Sequence, residues 1–305
     1  MAARPVSQMG VPTPQILFVQ HGWHDTNRSI SQLGQRLADG QTVVIAPDLG
    51  LLRTWWRMEP LIDRVDAIAT AALRQYPAHP WRVVGHSMGG LIWLELLQRH
   101  PEWCDRILSL TLISSPVGGA DLGRLIDPLG WGIGIARDLG QDRRQLAEQI
   151  ARRLPVQTIA SDLGDGSDGT VPVQCSQFDY GIYTGLRGLR HDKTKNHPAV
   201  AAAIEAFWQQ PQSPQQQNSL VKEIVALLRQ TPGITDASYR GLGQAMPWAV
   251  LPQGMQLQIW RNPVGVHHVF LTAAGDCYFA GYVGWPHTAG LYRQLGQIRA
   301  QLQLG

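Results

Sequence analysis

Residues 83–90 have the sequence Val-Val-Gly-His-Ser-Met-Gly-Gly, and they lie between a β-type apolar run and an apolar-periodic helical segment that begins at Leu91. A Gly-x-Ser-x-Gly motif between a strand and a helix is typical of a nucleophile elbow, in which the serine occupies a strained turn and its neighbours must be small. Chance alone produces this five-residue pattern in roughly one chain in seven of this composition. The prediction that Ser87 is a nucleophile therefore depends on the sequence around it.

Short apolar runs alternate with helical stretches over residues 16–208. The runs have β-type composition without polar alternation, which is typical of parallel strands buried on both faces. The predicted strands are residues 16–20, 42–46, 81–84, 107–113 and 156–160, and the predicted helices are residues 27–39, 60–76, 88–99 and 198–208. This repeat predicts an α/β fold with a mostly parallel central sheet and helices on both faces.

Three later segments depart from that repeat. Residues 116–153 contain a Gly-rich apolar stretch and are predicted to be an insertion over the sheet, either a core-packed helix pair or a cap or lid that contacts substrate. Residues 209–218 (QQPQSPQQQN) are predicted to be an exposed linker. Residues 219–305 are predicted to be a small α+β appendage of unknown role. Its predicted helices are residues 219–231 and 288–302, and its predicted strands are residues 247–250, 256–260, 266–272 and 277–283.

The composition excludes several classes of protein. The 305 residues include 26 basic and 23 acidic ones, and a scattered net charge of +3 gives no nucleic-acid-binding surface. Cys104, Cys175 and Cys277 are too far apart for a Cys-x-x-Cys metal site or a disulfide framework. Residues 1–15 lack the apolar run of a signal peptide, and no later run reaches the about 20 apolar residues of a membrane span. We therefore expect a soluble cytoplasmic protein without a metal site.

The sequence His21-Gly22-Trp23 directly follows the first predicted strand. A tight glycine turn there would aim the Trp23 N–H at the same point as the Met88 N–H, which begins the helix after Ser87. Two such donors make an oxyanion hole, the group of N–H donors that stabilises a negatively charged oxygen in a transition state. We predict that Trp23 and Met88 supply it.

Three aspartates follow the predicted strand of residues 156–160. Each is a candidate for the acid that orients a catalytic histidine. Asp168 is preferred because the Val171-Pro172 sequence, which begins three residues after it, fixes the return of the loop, and a triad needs a buried carboxylate on such a loop. Asp162 is the alternative for this role. A solvated or calcium-binding loop is the interpretation without catalysis.

Two histidines further along the chain qualify as the base, because the usual order on this architecture is Ser, Asp, His. His191 is preferred, since His197 stands beside Pro198 at a predicted helix start and is expected to be a helix cap or a surface residue. His86 adjoins the nucleophile, but its side chain is expected to point away from the serine.

Taken together, these motifs in this order resemble the α/β-hydrolase superfamily, and in particular its lipase and esterase branch with a Gly-His-Ser-Met-Gly-Gly elbow. The resemblance covers about residues 15–208, within a predicted hydrolase domain of residues 1–208. It implies a mostly parallel sheet and no cofactor. It also implies a nucleophile, base, acid and pair of oxyanion donors at Ser87, His191, Asp168, Trp23 and Met88.

The resulting hypothesis is a serine hydrolase that cleaves carboxylic esters, with acyl lipids as the favoured class, through an acyl-enzyme intermediate. Predicted substrate-binding residues are His21, Gly22, His86 and Trp131. A small-molecule or lipid ester is the expected partner, and peripheral contact with a membrane is left open. Acyl transfer to an alcohol, thioester cleavage, or a non-catalytic binding scaffold are the alternatives.

Overall fold

The central sheet consists of parallel strands. The structure is a computed structural model that describes residues 14–51, 53–55, 57–119, 135–210 and 219–303. Within these residues the sheet has six strands in the spatial order β2-β1-β3-β4-β5-β6, and every adjacent pair is parallel. In chain order they are β1 (Gln15–Gln20), β2 (Thr42–Ile45), β3 (Trp81–His86), β4 (Ile107–Ile113), β5 (Val156–Asp162) and β6 (Ile182–Arg187). The predicted mostly parallel sheet is confirmed.

Helices cover both faces of this sheet, so its central strands are buried on both sides. In chain order they are α1 (Asn27–Leu37), α2 (Glu59–Gln75), α3 (Met88–Arg99), α4 (Ile135–Leu139), α5 (Arg144–Ala151), α6 (His191–Thr194) and α7 (Pro198–Gln209). Successive side chains of a strand point to opposite faces. Phe18 therefore packs in one apolar core with residues of α2 and α3, whereas Leu17 packs in a second core with residues of α1 and α7. Burial on both faces explains why these strands are apolar throughout.

The sequence pattern does not reveal β6. This strand lies at the edge of the sheet, beside β5 only, and most of its side chains are half-buried or exposed. It therefore lacks the continuous apolar run that marks a central strand.

The described part of the predicted insertion packs into the core. Residues 120–134 lie outside the described residues, and Ile135, Leu139, Ala147 and Ile150 are buried in the same apolar core as α3. Residues 135–151 therefore have the packing expected of a core helix pair.

A second, antiparallel sheet follows, with the order β7-β11-β10-β9-β8 in the described residues. Its elements are α8 (Ser219–Arg229), β7 (Ile234–Asp236), β8 (Met246–Val250), β9 (Gln256–Arg261), β10 (His267–Ala273), β11 (Asp276–Val283) and α9 (Thr288–Gln303). The two helices bury Ile224 and Leu295 in one apolar cluster with Phe279 of the sheet. The predicted α+β appendage is confirmed, with the three-residue strand β7 as an unpredicted addition. We call residues 219–303 the C-terminal module.

Candidate active site

Ser87 lies in the tight turn between β3 and α3. Its backbone has φ 55° and ψ −125°, which is costly for a residue with a Cβ. A Cβ on Gly85 would lie 2.5 Å from the Gly90 Cα, and one on Gly89 would lie 2.3 Å from the Gln20 carbonyl oxygen. The glycines are therefore required by close backbone packing, and the motif has the geometry of a nucleophile elbow.

The turn after β1 packs directly against this serine. A Cβ on Gly22 would lie 2.9 Å from the Ser87 Cβ and 3.1 Å from the Met88 nitrogen, so glycine alone permits this approach. Met88 is the first residue of α3, where N–H groups have no intrahelical acceptor. Among the described residues the Trp23 N–H also has no hydrogen-bond partner. Both predicted oxyanion donors are thus available next to the elbow.

Asp168 lies in the loop that follows β5, and it is buried with 2% exposure. One carboxylate oxygen accepts hydrogen bonds from the Thr170 and Val171 N–H groups at 3.0 and 2.7 Å, and the other contacts His191. Burial disfavours the charged form, but the bond and charge of His191 and the two backbone donors outweigh it. The pKa of Asp168 therefore lies below its ordinary value, and the carboxylate is ionised.

His191 begins α6 and is held by Asp168 at two points. Its Nδ1–H donates to the Asp168 Oδ2 at 2.7 Å, and its backbone N–H donates to the Asp168 carbonyl oxygen at 2.9 Å. This arrangement fixes the tautomer and leaves Nε2 as the basic nitrogen. No hydrogen bond joins Ser87 to His191 in the described part of the chain, and such bonds are often long before substrate binds.

His86 packs against the segment that carries His191. Its Nε2 lies 3.1 Å from both the His191 carbonyl oxygen and the Thr194 Oγ1, and the two imidazole rings are 4.9 Å apart. Burial, followed by the neighbouring charge of His191, lowers the pKa of His86 well below its ordinary value, so the ring is neutral. The His86 side chain contacts His191 and Thr194, in agreement with the expected direction away from the serine.

His21 holds the turn that carries Gly22. The Leu49 N–H donates to its Nε2 at 3.0 Å, so Nδ1 carries the proton and donates to the Gly22 carbonyl oxygen at 2.9 Å. The side chain is fully buried, and burial lowers its pKa. Both ring nitrogens bond the backbone, so His21 fixes the turn that carries Gly22.

The two alternative residues have other partners. The Asp162 Oδ1 accepts three hydrogen bonds from N–H groups of its own loop, and its Oδ2 accepts one from the Tyr239 hydroxyl at 2.8 Å. The His197 Nδ1 accepts a hydrogen bond from the Ala199 N–H at 3.1 Å and so caps α7, as expected. Among the described residues, no hydrogen bond joins either of them to the elbow.

Two residues near the site carry no signal in the sequence. Thr194 is fully buried and donates to the His191 carbonyl oxygen at 2.8 Å. The Lys195 Nζ forms an ion pair with Asp25 at 2.9 Å, which joins the His191 segment to the chain after Gly22. The Thr194 contact spans one helical turn and the Lys195 contact spans 170 residues, and no sequence motif identifies either of them.

Trp131, a predicted substrate-binding residue, lies outside the described residues.

The described residues contain no group of three or more His, Cys, Asp or Glu side chains arranged to hold a metal ion. Their helices include none that is long and apolar enough to span a bilayer.

Comparison with known proteins supports the same fold. Residues 12–130, which include the elbow, match the family model for serine aminopeptidase, S33. The mature form of the lipase BlEst2 from Bacillus licheniformis matches with a TM-score of 0.50 at 16% identity, covering 67% of this chain and 96% of that chain. Its propeptide form matches with a TM-score of 0.51 at 16% identity, covering 71% and 54%. No curated protein sequence matches the chain.

Together, the parallel sheet, the elbow at its centre and the family-model match over residues 12–130 show that this chain has the α/β-hydrolase fold. The predicted resemblance is confirmed at that level. An identity of 16% to the solved structures shows the fold and leaves the reaction to be argued from the site.

Proposed function

We propose that this protein is a serine hydrolase that cleaves carboxylic esters, with Ser87 as nucleophile, His191 as general base and Asp168 as the orienting acid. The observation that carries the proposal is the 2.7 Å hydrogen bond between His191 and the buried carboxylate of Asp168, beside a strained elbow serine. A histidine whose Nδ1–H is held by an ionised carboxylate, so that Nε2 is left to accept a proton, is the arrangement that activates a serine hydroxyl.

The reaction proceeds through an acyl-enzyme. The Ser87 Oγ attacks the ester carbonyl carbon while its proton moves to the His191 Nε2, and the resulting imidazolium gives that proton to the departing alcohol. Water then attacks the acyl-serine, again with His191 accepting a proton and returning it to Ser87. The two products are a carboxylic acid and an alcohol, and Asp168 stays ionised throughout.

The developing oxyanion is stabilised by the Trp23 and Met88 N–H groups. Both are backbone donors on a glycine-packed turn and at a helix N-terminus, so they need little reorganisation during the reaction. Losing one such donor typically costs a factor of about 10² to 10³ in kcat.

An apolar acyl group is the favoured substrate feature. The indole of Trp23 packs edge-on against Trp55 at 4.7 Å, and Trp55 is 42% exposed beside the turn that carries the oxyanion donor. Such an aromatic surface suits an acyl chain. The fold shared with a bacterial lipase is consistent with acyl lipids as the substrate class.

There are three alternative functions. Two of them also use Ser87 as the nucleophile, and the third needs no activated serine. An acyltransferase passes the acyl group to an alcohol, and a thioesterase accepts a thioester, both through Ser87. A non-catalytic scaffold binds a ligand without an activated serine, and it therefore fails to react with a fluorophosphonate.

The deciding experiment is labelling of the purified protein with a fluorescent fluorophosphonate, followed by assay with p-nitrophenyl butyrate. We expect labelling and turnover in the wild type, both lost in Ser87→Ala, because the nucleophile is removed. Ser31→Ala, a serine on α1 whose hydroxyl bonds the Asn27 carbonyl oxygen, is the matched control and keeps both activities. An unlabelled wild type would support the binding scaffold instead.

The substrate class is tested with p-nitrophenyl esters of increasing chain length, a matched thioester and an aminoacyl p-nitroanilide. Acyl-lipid specificity predicts a kcat/KM that rises with chain length, and a steady fall identifies a small-ester esterase. Faster cleavage of the anilide would favour the aminopeptidase chemistry for which the matched family model is described. Added alcohol that yields transesterified product would identify acyl transfer.

A further inference from the structure

The loop that carries Asp168 is contacted by the C-terminal module. We call residues 162–174 the acid loop and residues 236–240 of the module the clamp segment. The acid loop contains Gly164, Gly166 and Gly169, whose φ values are 99°, 76° and 89°. Glycines lose the most conformational freedom on folding, so a loop of this composition needs contacts from outside to hold one conformation.

Tyr239 of the clamp segment makes three contacts with the start of the acid loop. Its hydroxyl donates to the Asp162 Oδ2 at 2.8 Å, and its backbone N–H donates to the Asp165 carbonyl oxygen at 2.8 Å. Its ring covers Gly166 so closely that a Cβ there would lie 2.4 Å from a ring carbon. The ring thus covers the glycine that lies two residues before Asp168.

Arg240 adds an ion pair to the same part of the loop. Its guanidinium contacts one oxygen of Asp165, and the other Asp165 oxygen accepts hydrogen bonds from the Ser167 N–H and Oγ at 2.9 and 2.8 Å. The Ser167 Oγ then accepts a hydrogen bond from the Gly169 N–H at 3.1 Å. These contacts run from the module to both neighbours of Asp168.

The other end of the clamp segment is attached to the end of the acid loop. The Gln174 Nε2 donates to the Ala237 carbonyl oxygen at 2.8 Å, and its Oε1 accepts a hydrogen bond from the Ala280 N–H at 3.1 Å. The buried guanidinium of Arg144 pairs with Asp236 and also donates to the Gln174 carbonyl oxygen at 3.3 Å. The clamp segment therefore contacts the acid loop before and after Asp168.

We propose that the clamp segment sets the position of Asp168, so that the C-terminal module is a working part of the site and Tyr239 is a positioning residue for the catalytic acid. This inference rests on the proposed triad. Tyr239 acts on the reaction through the acid loop, Asp168 and then His191, because an acid displaced by a fraction of an ångström holds the base less well.

The test compares Tyr239→Ala and Tyr239→Phe in the full chain, with Tyr292→Phe as the matched control. Tyr292 also uses its hydroxyl in a hydrogen bond, but to His267 within the module at 3.0 Å. We expect kcat for p-nitrophenyl butyrate to fall roughly 10- to 100-fold in Tyr239→Ala with little change in KM. Tyr239→Phe keeps the ring on Gly166 and should lose only about threefold, as expected when one hydrogen bond is removed. Tyr292→Phe should match the wild type.

A double-mutant cycle separates positioning from general destabilisation. In an Asp168→Asn background, adding Tyr239→Ala should leave the residual kcat unchanged, because the residue through which Tyr239 acts is already impaired. An equal loss in both backgrounds, or full kcat in Tyr239→Ala, would overturn the proposal. Thermal unfolding of each variant identifies any loss of folded protein.

A spectroscopic measurement keeps this test independent of turnover. The proton on the His191 Nδ1, donated to a buried carboxylate, should give a low-field NMR resonance that is absent in His191→Ala. Tyr239→Ala should shift or broaden that resonance, and Tyr292→Phe should not. A wild type that neither reacts with the fluorophosphonate nor turns over p-nitrophenyl butyrate would contradict the esterase proposal. An unaltered resonance in Tyr239→Ala would contradict only the role of the clamp segment.

Discussion

The elbow and the acid loop hold two members of the proposed triad, but different physical interactions fix them in place. The elbow is held by backbone against backbone, with glycines that leave no room for a single added carbon. The acid loop is held by polar side chains and backbone groups, several of which pair with residues 63 to 77 positions away. Packing of the first kind depends on residues within one motif, and bonding of the second kind depends on the completed fold.

This difference has an energetic consequence. Close-packed backbone has no alternative arrangement nearby, so the elbow is rigid wherever the surrounding strands form. A polar network is stable only when every buried member has its partner, so the acid loop depends on the module being in place. The two regions should therefore respond differently when single partners are removed.

The largest expected effect on stability comes from the buried ion pair that anchors the clamp segment. Replacing Arg144 by methionine leaves Asp236 buried, with Arg229 at 3.4 Å as its remaining ion-pair partner among the described residues. Breaking a buried pair in this way typically costs about 3–5 kcal/mol. We expect the free energy of unfolding of Arg144→Met, measured in urea, to fall by that amount.

The matched control for this prediction removes both charges. Arg144→Met combined with Asp236→Leu removes the buried carboxylate but leaves the partly buried Arg229 without this ion pair, so it should regain only part of the lost stability. A double variant as unstable as Arg144→Met would show that packing of the arginine, rather than its charge, anchors the clamp segment.

A smaller loss is expected from the elbow itself. In Gly89→Ala the new methyl group would meet the Gln20 carbonyl oxygen at 2.3 Å, so strand and helix must separate. Overpacking of this kind costs about 1–3 kcal/mol. Fluorophosphonate labelling should be lost as well, because the Met88 N–H moves with the helix.

Gly243→Ala is the control for that substitution, since nothing lies within 4 Å of its added Cβ. It should label like the wild type. A Gly89→Ala variant with normal labelling and stability would mean that the elbow is less rigid than its packing indicates, and the contrast with the acid loop would disappear.

The sequence predicted the regions whose interactions are local and could not predict those whose interactions are distant. The strands around the elbow follow from apolar runs, and the elbow follows from Gly-His-Ser-Met-Gly. The choice of Asp168 over Asp162 rested on a turn signal, and the structure brings Asp168 into contact with the predicted His191. The hydrogen bond between Tyr239 and Asp162 joins residues that are 77 positions apart and lie in the regions of two different sheets. No periodicity or motif in the sequence encodes it.

The smallest expected effect on stability concerns the two histidines that are candidates for the base. It tests the same contrast between local and distant interactions. His197 caps α7 with a local hydrogen bond over two residues, whereas His191 is held by a carboxylate 23 residues away. His197→Ala should therefore lower the free energy of unfolding by about 1 kcal/mol, as the loss of a helix cap usually does, and leave kcat unchanged. His191→Ala should abolish turnover of p-nitrophenyl butyrate, because no other described side chain is held by Asp168 to accept the Ser87 proton. Lost turnover in His197→Ala with retained folding would transfer the base to that residue, and the acid loop would then need a different function from the one argued for Asp168.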